Sequence, residues 1–327
     1  SAGLGAAALA KTSDASEQSG RKPNRHEVWI ASITLERLDA RSGEEKVDKV
    51  IGRMEETLHC RPDVICIPET FPYHGVSNKP PLEQIAKDGL GWIAGRFGEF
   101  ARNNQCYIIC PTHTYVDGVI YNSAIIIDRR GEVAGLYHKI HPTVDEIEGG
   151  AMPGPVQPPV FQTDFGVIGV QICFDVNWPE GWRALRKAGA EVIFWPSAFP
   201  GGRMLNGMAW MNKTYVVTST WDDPSRIIDI QGDEIASTGR YQHWICAPVN
   251  LEKAFVHIWP YMKNIEDLQA KYGRKIRIQK LHVEGWAVIE SVSPDLTIQK
   301  ALAEFDIPLH EEHIQKAHAL QEKMRPS

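Results

Sequence analysis

Three side chains capable of covalent chemistry stand where apolar runs stop. Glu69 follows VICIP, Lys139 follows GLYH, and Cys173 closes VIGVQIC. Short apolar runs bounded by Pro or polar residues read as buried strands. Polar groups just beyond such strands gather at one end of an α/β sheet, where these folds carry their sites. A thiol, a carboxylate and an ammonium supply a nucleophile, a general base and a cation for an oxyanion, the requirements of acyl transfer. Each residue alone has a plainer use. A strand-end Cys is usually a small buried hydrophobe, a Glu after Pro can cap a helix, and a Lys can end in a solvated turn.

Other candidate ligands form no metal pattern. Cys106 and Cys110 fall on one face of a single strand, which core packing explains, and Cys60, Cys66 and Cys246 have no ligand spacing. His138 and His141 flank Lys139 without a Cys or carboxylate pair at zinc spacing, so neither a metal nor another cofactor is predicted. Trp178, Trp195 and Trp210 read as core or pocket-wall residues.

The elements that must position these residues alternate from Glu27 onward. Val28–Leu35 is strand-like, rich in β-branched and aromatic residues, and Glu44–His59 places Val47, Val50, Ile51, Met54 and Leu58 on one helical face. Val64–Ile67 reads as a buried strand, Leu90–Asn103 as a helix and Cys106–Pro111 as a strand. Tyr121–Asp128 and Glu132–Lys139 form a hairpin about Arg129-Arg130-Gly131. Val167–Cys173, Glu191–Pro196 and Tyr215–Thr220 continue the strands, with a helix at Pro179–Ala188 and a second hairpin through Arg226–Ile230 and Gly232. This short-spaced alternation predicts one layered α/β domain. The Pro/Gly-rich Gly149–Pro159 reads as a loop over a binding site.

Composition narrows the function classes. The chain has 327 residues with 35 Lys+Arg against 41 Asp+Glu, a formal charge of −6, which gives no attraction for nucleic acid. Hydrophobic residues at 43% allow a sizeable core, and no apolar run reaches the roughly 18 residues of a membrane span. Six cysteines are too few for a disulfide scaffold. Residues 1–24 read as a disordered leader or as the remnant of a signal peptide. SAGLGAAALA, ending in Ala8-Leu9-Ala10, favours export to the periplasm, with a cytoplasmic location the alternative.

PETF at Pro68–Phe71, YHKIHPT at Tyr137–Thr143 and ICFDVNWPE at Ile172–Glu180 resemble, in this order, the three signature blocks of the nitrilase superfamily, the carbon–nitrogen hydrolases. YNSAIIIDRRGEVAGLYHK is similar to that family's hairpin leading to its lysine, and FQTDFGVIGVQICFD to its approach to the nucleophile. The resemblance covers about Val28 to Gly239 and resumes at Ala303–Ile307 (AEFDI), like a closing strand. It implies a four-layer αββα sandwich over residues 25–310, followed by a C-terminal tail at 311–327. It implies a triad of Glu69, Lys139 and Cys173, with Glu146 holding the lysine; Glu148 is the reserve and Asp145 lies one residue early. The backbone N–H of Phe174 would help bind the oxyanion, and Phe174, Asp175, Tyr73 and Trp178 are expected to contact substrate.

The same resemblance implies hydrolysis of a small-molecule amide or N-carbamoyl compound. Phe174-Asp175 and Asn177-Trp178-Pro179-Glu180 lean to amidases and carbamoylases, whereas KIHPT resembles nitrilases. A nitrile substrate is the alternative, and a non-catalytic scaffold the second. A homodimer is expected through the helix beside the nucleophile, where Trp182 and Leu185 share a face. Segment 241–300 is longer than the family's usual connection, and forms either an extra element beside the pocket or part of a subunit interface.

Overall fold

The computed structural model describes Glu27–Pro326. The leader or signal remnant read at 1–24 lies outside the described residues. The chain opens with β1 (Glu27–Ile33), α1 (Gly43–Glu55), β2 (Val64–Cys66), α2 (Leu82–Asp88) and α3 (Ala94–Asn104). A meander follows: β3 (Tyr107–Val116), β4 (Val119–Ile127) and β5 (Val133–His138). Next come α4 (Val144–Glu148), β6 (Val160–Gln162), β7 (Val167–Val170), α5 (Pro179–Lys187), β8 (Val192–Ser197), α6 (Arg203–Asn212) and β9 (Tyr215–Thr220). The remainder is β10 (Arg226–Ile228), β11 (Glu234–Ser237), β12 (Trp244–Asn250), β13 (Lys253–His257), α7 (Met262–Tyr272), β14 (Ile276–Leu281), β15 (Trp286–Ser291), α8 (Ile298–Glu304) and α9 (His310–Met324).

Two six-stranded sheets, ordered β12-β1-β2-β3-β4-β5 and β11-β10-β9-β8-β7-β6, pack face to face. The central strands β2, β8 and β9 are buried along their whole length, one face on the opposite sheet and the other on helices, which explains the layering. Ile30, Ile109, Ala124 and Tyr137 of the first sheet meet Ile168, Phe194, Val217 and Ile227 of the second. On the outer side of the first sheet, Ile65, Ile108 and Ile125 pack against Val47, Val50 and Met54 of α1 and Phe97 of α3. On the outer side of the second, Ile193, Trp195 and Val216 pack against Trp182 and Leu185 of α5 and Leu205 and Ala209 of α6. The result is the αββα sandwich. Trp182 and Leu185, expected at a subunit contact, are fully buried core residues instead.

Within this frame β1, β2 and β3 pair in parallel, as do β7, β8 and β9. Glu69 lies just past the C-terminal end of β2, Cys173 just past β7, and Ala198 immediately after β8. Crossing helices return the chain to the opposite end of the sheets, which leaves these C-terminal ends free to carry polar groups.

Segment 241–300 supplies β12, which completes the first sheet antiparallel to β1, and a three-stranded sheet ordered β13-β15-β14. One face of that small sheet adds Phe255 and Val288 to the core between the large sheets. The other buries Val256, Ala287 and Ile289 under Ile265 and Leu268 of α7 and Ala301 and Leu302 of α8.

Two expectations are corrected here. Ala303–Ile307 is not a strand: Ile298, Ala301 and Leu302 bury at helical spacing, and Asp306 at φ 52° ends the turn after α8. Residues 311–324, read as part of a tail, belong to α9, which Glu311 ties to Arg186 of α5 by a bidentate pair at 3.1 and 3.0 Å.

Candidate active site

Cys173 begins a short 3₁₀ turn, Cys173–Asn177, where β7 was expected to continue. Its φ of 48° is a left-handed conformation that an L-residue adopts only when its surroundings enforce it. Asp175 enforces it. Its Oδ2 accepts from Ile172 N at 2.9 Å and from the Tyr137 hydroxyl at 2.7 Å, and its Oδ1 accepts from His141 N at 2.8 Å and lies 2.9 Å from His141 Nδ1. The Trp195 indole donates to Cys173 O at 3.0 Å.

Glu69 is 3% exposed and follows Pro68 into a turn whose next residue, Thr70, is also left-handed at φ 43°. Its Oε1 accepts from Lys139 Nζ at 2.8 Å and from Asn122 Nδ2 at 2.7 Å; its Oε2 accepts from Ala198 N at 2.9 Å. The Ala198 N–H and the Ser197 hydroxyl favour the ionised form of the Cys173 thiol, against the burial that opposes it.

Lys139 follows β5, and its backbone N donates to Asn122 O at 2.8 Å. Nζ reaches Glu146 Oε2 at 2.7 Å as well as Glu69. Glu146 is in place because α4 opens with a capping box: Thr143 N donates to Glu146 Oε2 at 2.7 Å and Glu146 N to Thr143 Oγ1 at 3.3 Å. Asp145 and Glu148, the neighbouring alternatives, are exposed on the same short helix.

Charge balance decides the resting state. Burial pushes the Cys173 thiol up to about 12; the Glu69 carboxylate adds to that, and Lys139, Ser197 and Ala198 offset only part of it. Burial alone would lower the Lys139 ammonium, but the carboxylates of Glu69 and Glu146, joined at high pH by the Cys173 thiolate, outweigh it and raise its pKa. Burial likewise opposes ionisation of Glu146, and Lys139, Thr143 and Asn122 overcome it, so its carboxyl stays low. At neutral pH Cys173 is thus a thiol beside an ion-paired lysine.

The residues expected to contact substrate divide. Asp175 is fully buried with both oxygens engaged, so it does not face a pocket; it braces the turn under Cys173. Phe174 is 36% exposed and sets its ring edge-on to Trp178 at 5.2 Å, while Trp178 stacks on His141 at 3.9 Å. Tyr73 is buried and donates to Asp88 at 2.9 Å, yet it lines a cavity of ≈ 380 Å³ beside Glu69. Thr70, His74, Lys79, Thr112, His113 and Trp221 are among its other lining residues. Burial holds the His113 imidazole down to about 4, so it is neutral there.

Asn122 was not found by sequence reasoning. The signal was available: Ala124 and Ile126 face the core between the sheets, so strand alternation places the amide of Asn122 on that same buried face. A polar group there needs a partner.

A family model described as carbon–nitrogen hydrolase matches residues 30–253. A deaminated glutathione amidase of Synechocystis sp. is 38% identical over 116 residues, 31% of this chain and 43% of that protein. A nitrilase of Pyrococcus abyssi is 33% identical over 161 residues, 48% of this chain and 61% of that protein. The match spans less than two thirds of either relative. The crystal structure of a carbon–nitrogen hydrolase from Helicobacter pylori superposes with a TM-score of 0.61 at 18% identity, covering 69% of this chain and 90% of that one.

Proposed function

This chain belongs to the carbon–nitrogen hydrolase family, and on that premise we propose that it cleaves an amide or N-carbamoyl group through a thioester on Cys173. One observation carries the reading: Lys139 is held between Glu69 and Glu146 at 2.8 and 2.7 Å, in a buried cluster whose charges act on the Cys173 thiol.

The resting thiol needs its proton removed as it attacks, because its raised pKa leaves little free thiolate. Oε1 of Glu69 is occupied by two donors, so Oε2 receives that proton while Sγ bonds to the substrate carbonyl carbon. Lys139 has three hydrogens on Nζ. Two go to carboxylates and the third, with Phe174 N–H, meets the developing oxyanion. Protonated Glu69 passes its proton to the leaving nitrogen as the tetrahedral intermediate collapses; the C–N bond breaks, ammonia or an amine departs, and the acyl group stays on Cys173 as the thioester. Water, deprotonated by Glu69, then attacks the thioester carbon; the acid leaves, and Glu69 returns the proton to the thiolate.

The acyl portion is assigned to the cavity at Thr70, His74 and Trp221. Phe174-Asp175 after the nucleophile and the Asn177–Glu180 segment favour an amide or N-carbamoyl substrate. KIHPT at Lys139–Thr143, and the relative named a nitrilase, favour a nitrile as the second reading. Ammonia release measured over short amides, N-carbamoyl amino acids and nitriles separates the two. Turnover confined to nitriles overturns the first; none at all, with Cys173 alkylated by iodoacetamide no faster than the other thiols, leaves a binding scaffold.

A second copy of the chain is the proposed partner. The groove between α5 and α6 is lined by Val176, Pro179, Met204, Met208 and Met211, with Met204 and Met211 exposed. Apolar surface of this kind beside a site is more consistent with an interface than with free solvent.

A further inference from the structure

Resting on that reading, we propose that Asn122 is a positioning residue: its amide divides its two hydrogens between Glu69 and Glu146 and so fixes which oxygen of Glu69 meets the thiol. Nδ2 lies 2.7 Å from Glu69 Oε1 and 2.6 Å from Glu146 Oε1. Lys139 Nζ bridges the same two carboxylates from its own side, at 2.8 Å to Glu69 Oε1 and 2.7 Å to Glu146 Oε2. The four groups form a closed ring, in which a cation and a neutral amide hold two acids that would otherwise repel.

The backbone of Asn122 belongs to the same device. Its carbonyl accepts Lys139 N at 2.8 Å, so one residue of β4 sets both the backbone of the lysine and the acids that the lysine touches. Both neighbours of the amide are carboxylates, which can only accept, so the nitrogen must face them. Oδ1 is then turned away, buried and without a hydrogen-bond partner among the described residues.

The consequence falls on Glu69. With Oε1 engaged by Lys139 and Asn122, the carboxylate cannot rotate to offer that oxygen to Cys173 without losing two donors. Oε2, which among the described residues accepts only from Ala198 N, is the oxygen left to exchange a proton with the thiol. Asn122 also sets the acid side of the working range, because its donated hydrogen is one of the bonds that keep Glu146 ionised and on Lys139.

The test uses the full chain with Asn122→Ser, Asn122→Ala and Asn122→Asp. The rate of Cys173 alkylation by iodoacetamide is followed by mass spectrometry against pH, beside kcat, KM and thermal midpoint. Asn122→Ala should slow alkylation and kcat by about 10–100-fold, as misplacement of a catalytic group does, with KM nearly unchanged. The acidic limb of its alkylation profile should move to higher pH, since Glu146 loses a donor. Asn122→Ser, which keeps one hydrogen to donate, should lie between wild type and Ala. Asn122→Asp keeps the shape but adds a third carboxylate, so it should be slower than Ala; a role in packing alone predicts the reverse order. An Ala variant whose alkylation profile superimposes on wild type, whatever its thermal midpoint, overturns the proposal alone. Wild-type Cys173 alkylated no faster than the partly exposed Cys60 overturns the mechanism and this proposal together.

Discussion

Lys139 is almost wholly buried and paired with two carboxylates, so its loss should be felt in rate and in stability with opposite pH signatures. Its folded pKa is raised, so its contribution is complete below 10.5 and is lost only as pH climbs through the higher folded value. Glu146 is lowered, so its contribution is complete above 4.5 and is lost as pH falls through the folded value. Wild-type stability from this cluster is therefore flat between those limits. Lys139→Ala leaves Glu69 and Glu146 facing each other; it should cost about 3–5 kcal/mol at neutral pH and regain part of that on acidification, when one carboxylate takes a proton. Chemical denaturation at pH 5 and pH 8 checks this, and a variant equally destabilised at both would contradict it. Cys173→Ala should lose hydrolysis with a thermal midpoint near wild type. Cys173→Gly should be at least as stable as Cys173→Ala despite glycine's greater unfolded entropy, because a Cβ at φ 48° costs about 1–2 kcal/mol; calorimetry of the pair decides. These reactive residues were legible because each stands where an apolar strand ends. Asp175 was misread because position next to a nucleophile says nothing about which way a side chain points, and Asn122 because hairpin similarity drew notice to the turn rather than to the strand's inward face.

Asp175 joins three segments that carry separate parts of the site: the turn after β7, the start of the loop leading to α4, and Tyr137 of β5. Asp175→Ala should therefore lower activity by about 100-fold or more and stability by about 3 kcal/mol, since three buried donors lose their acceptor at once. Asp175→Asn, retaining one acceptor oxygen, should fall between. Hydrogen exchange should report faster opening of both Ile172 and His141 amides in the Ala variant; protection lost at only one of them would mean that Asp175 does not couple these segments. At this scale the alternation of strands and helices was plain from apolar runs, and the ends of elements were not. β3 was expected to stop at Pro111 but continues to Val116. Its pairing with β2 ends at Ile109, so beyond that residue it is bonded only to β4, and the missing N–H of Pro111 is tolerated at an open edge. AEFDI alternates like a strand, yet its alanine and leucine neighbours are already committed to the buried face of α8.

As a whole the molecule buries Trp182 and Leu185 and leaves Met204 and Met211 exposed on the neighbouring helix. If the chain pairs as proposed, Met211→Asp should shift it toward a 36.7 kDa species in light scattering while the fold persists, because the substituted position is at the surface. A wild-type chain that scatters as a single copy at micromolar concentration would remove the dimer from consideration. The layered fold and the candidate site were legible across 28–239; the appended sheet was not, because nothing in segment 241–300 names the surface it will cover. The seam between β1 and β12 has a consequence for how the protein is made. Glu27 pairs with Asn250, residues 223 positions apart, in a register that runs to Ile33 and Trp244. At roughly 5–20 residues per second a ribosome needs on the order of 10–45 s to traverse that distance. For that interval one edge of β1 waits without its partner, an apolar ribbon open to any other strand. Yield in the cell should thus depend on chaperone capacity and on how quickly residues 244–250 emerge, more than on the stability of the finished fold.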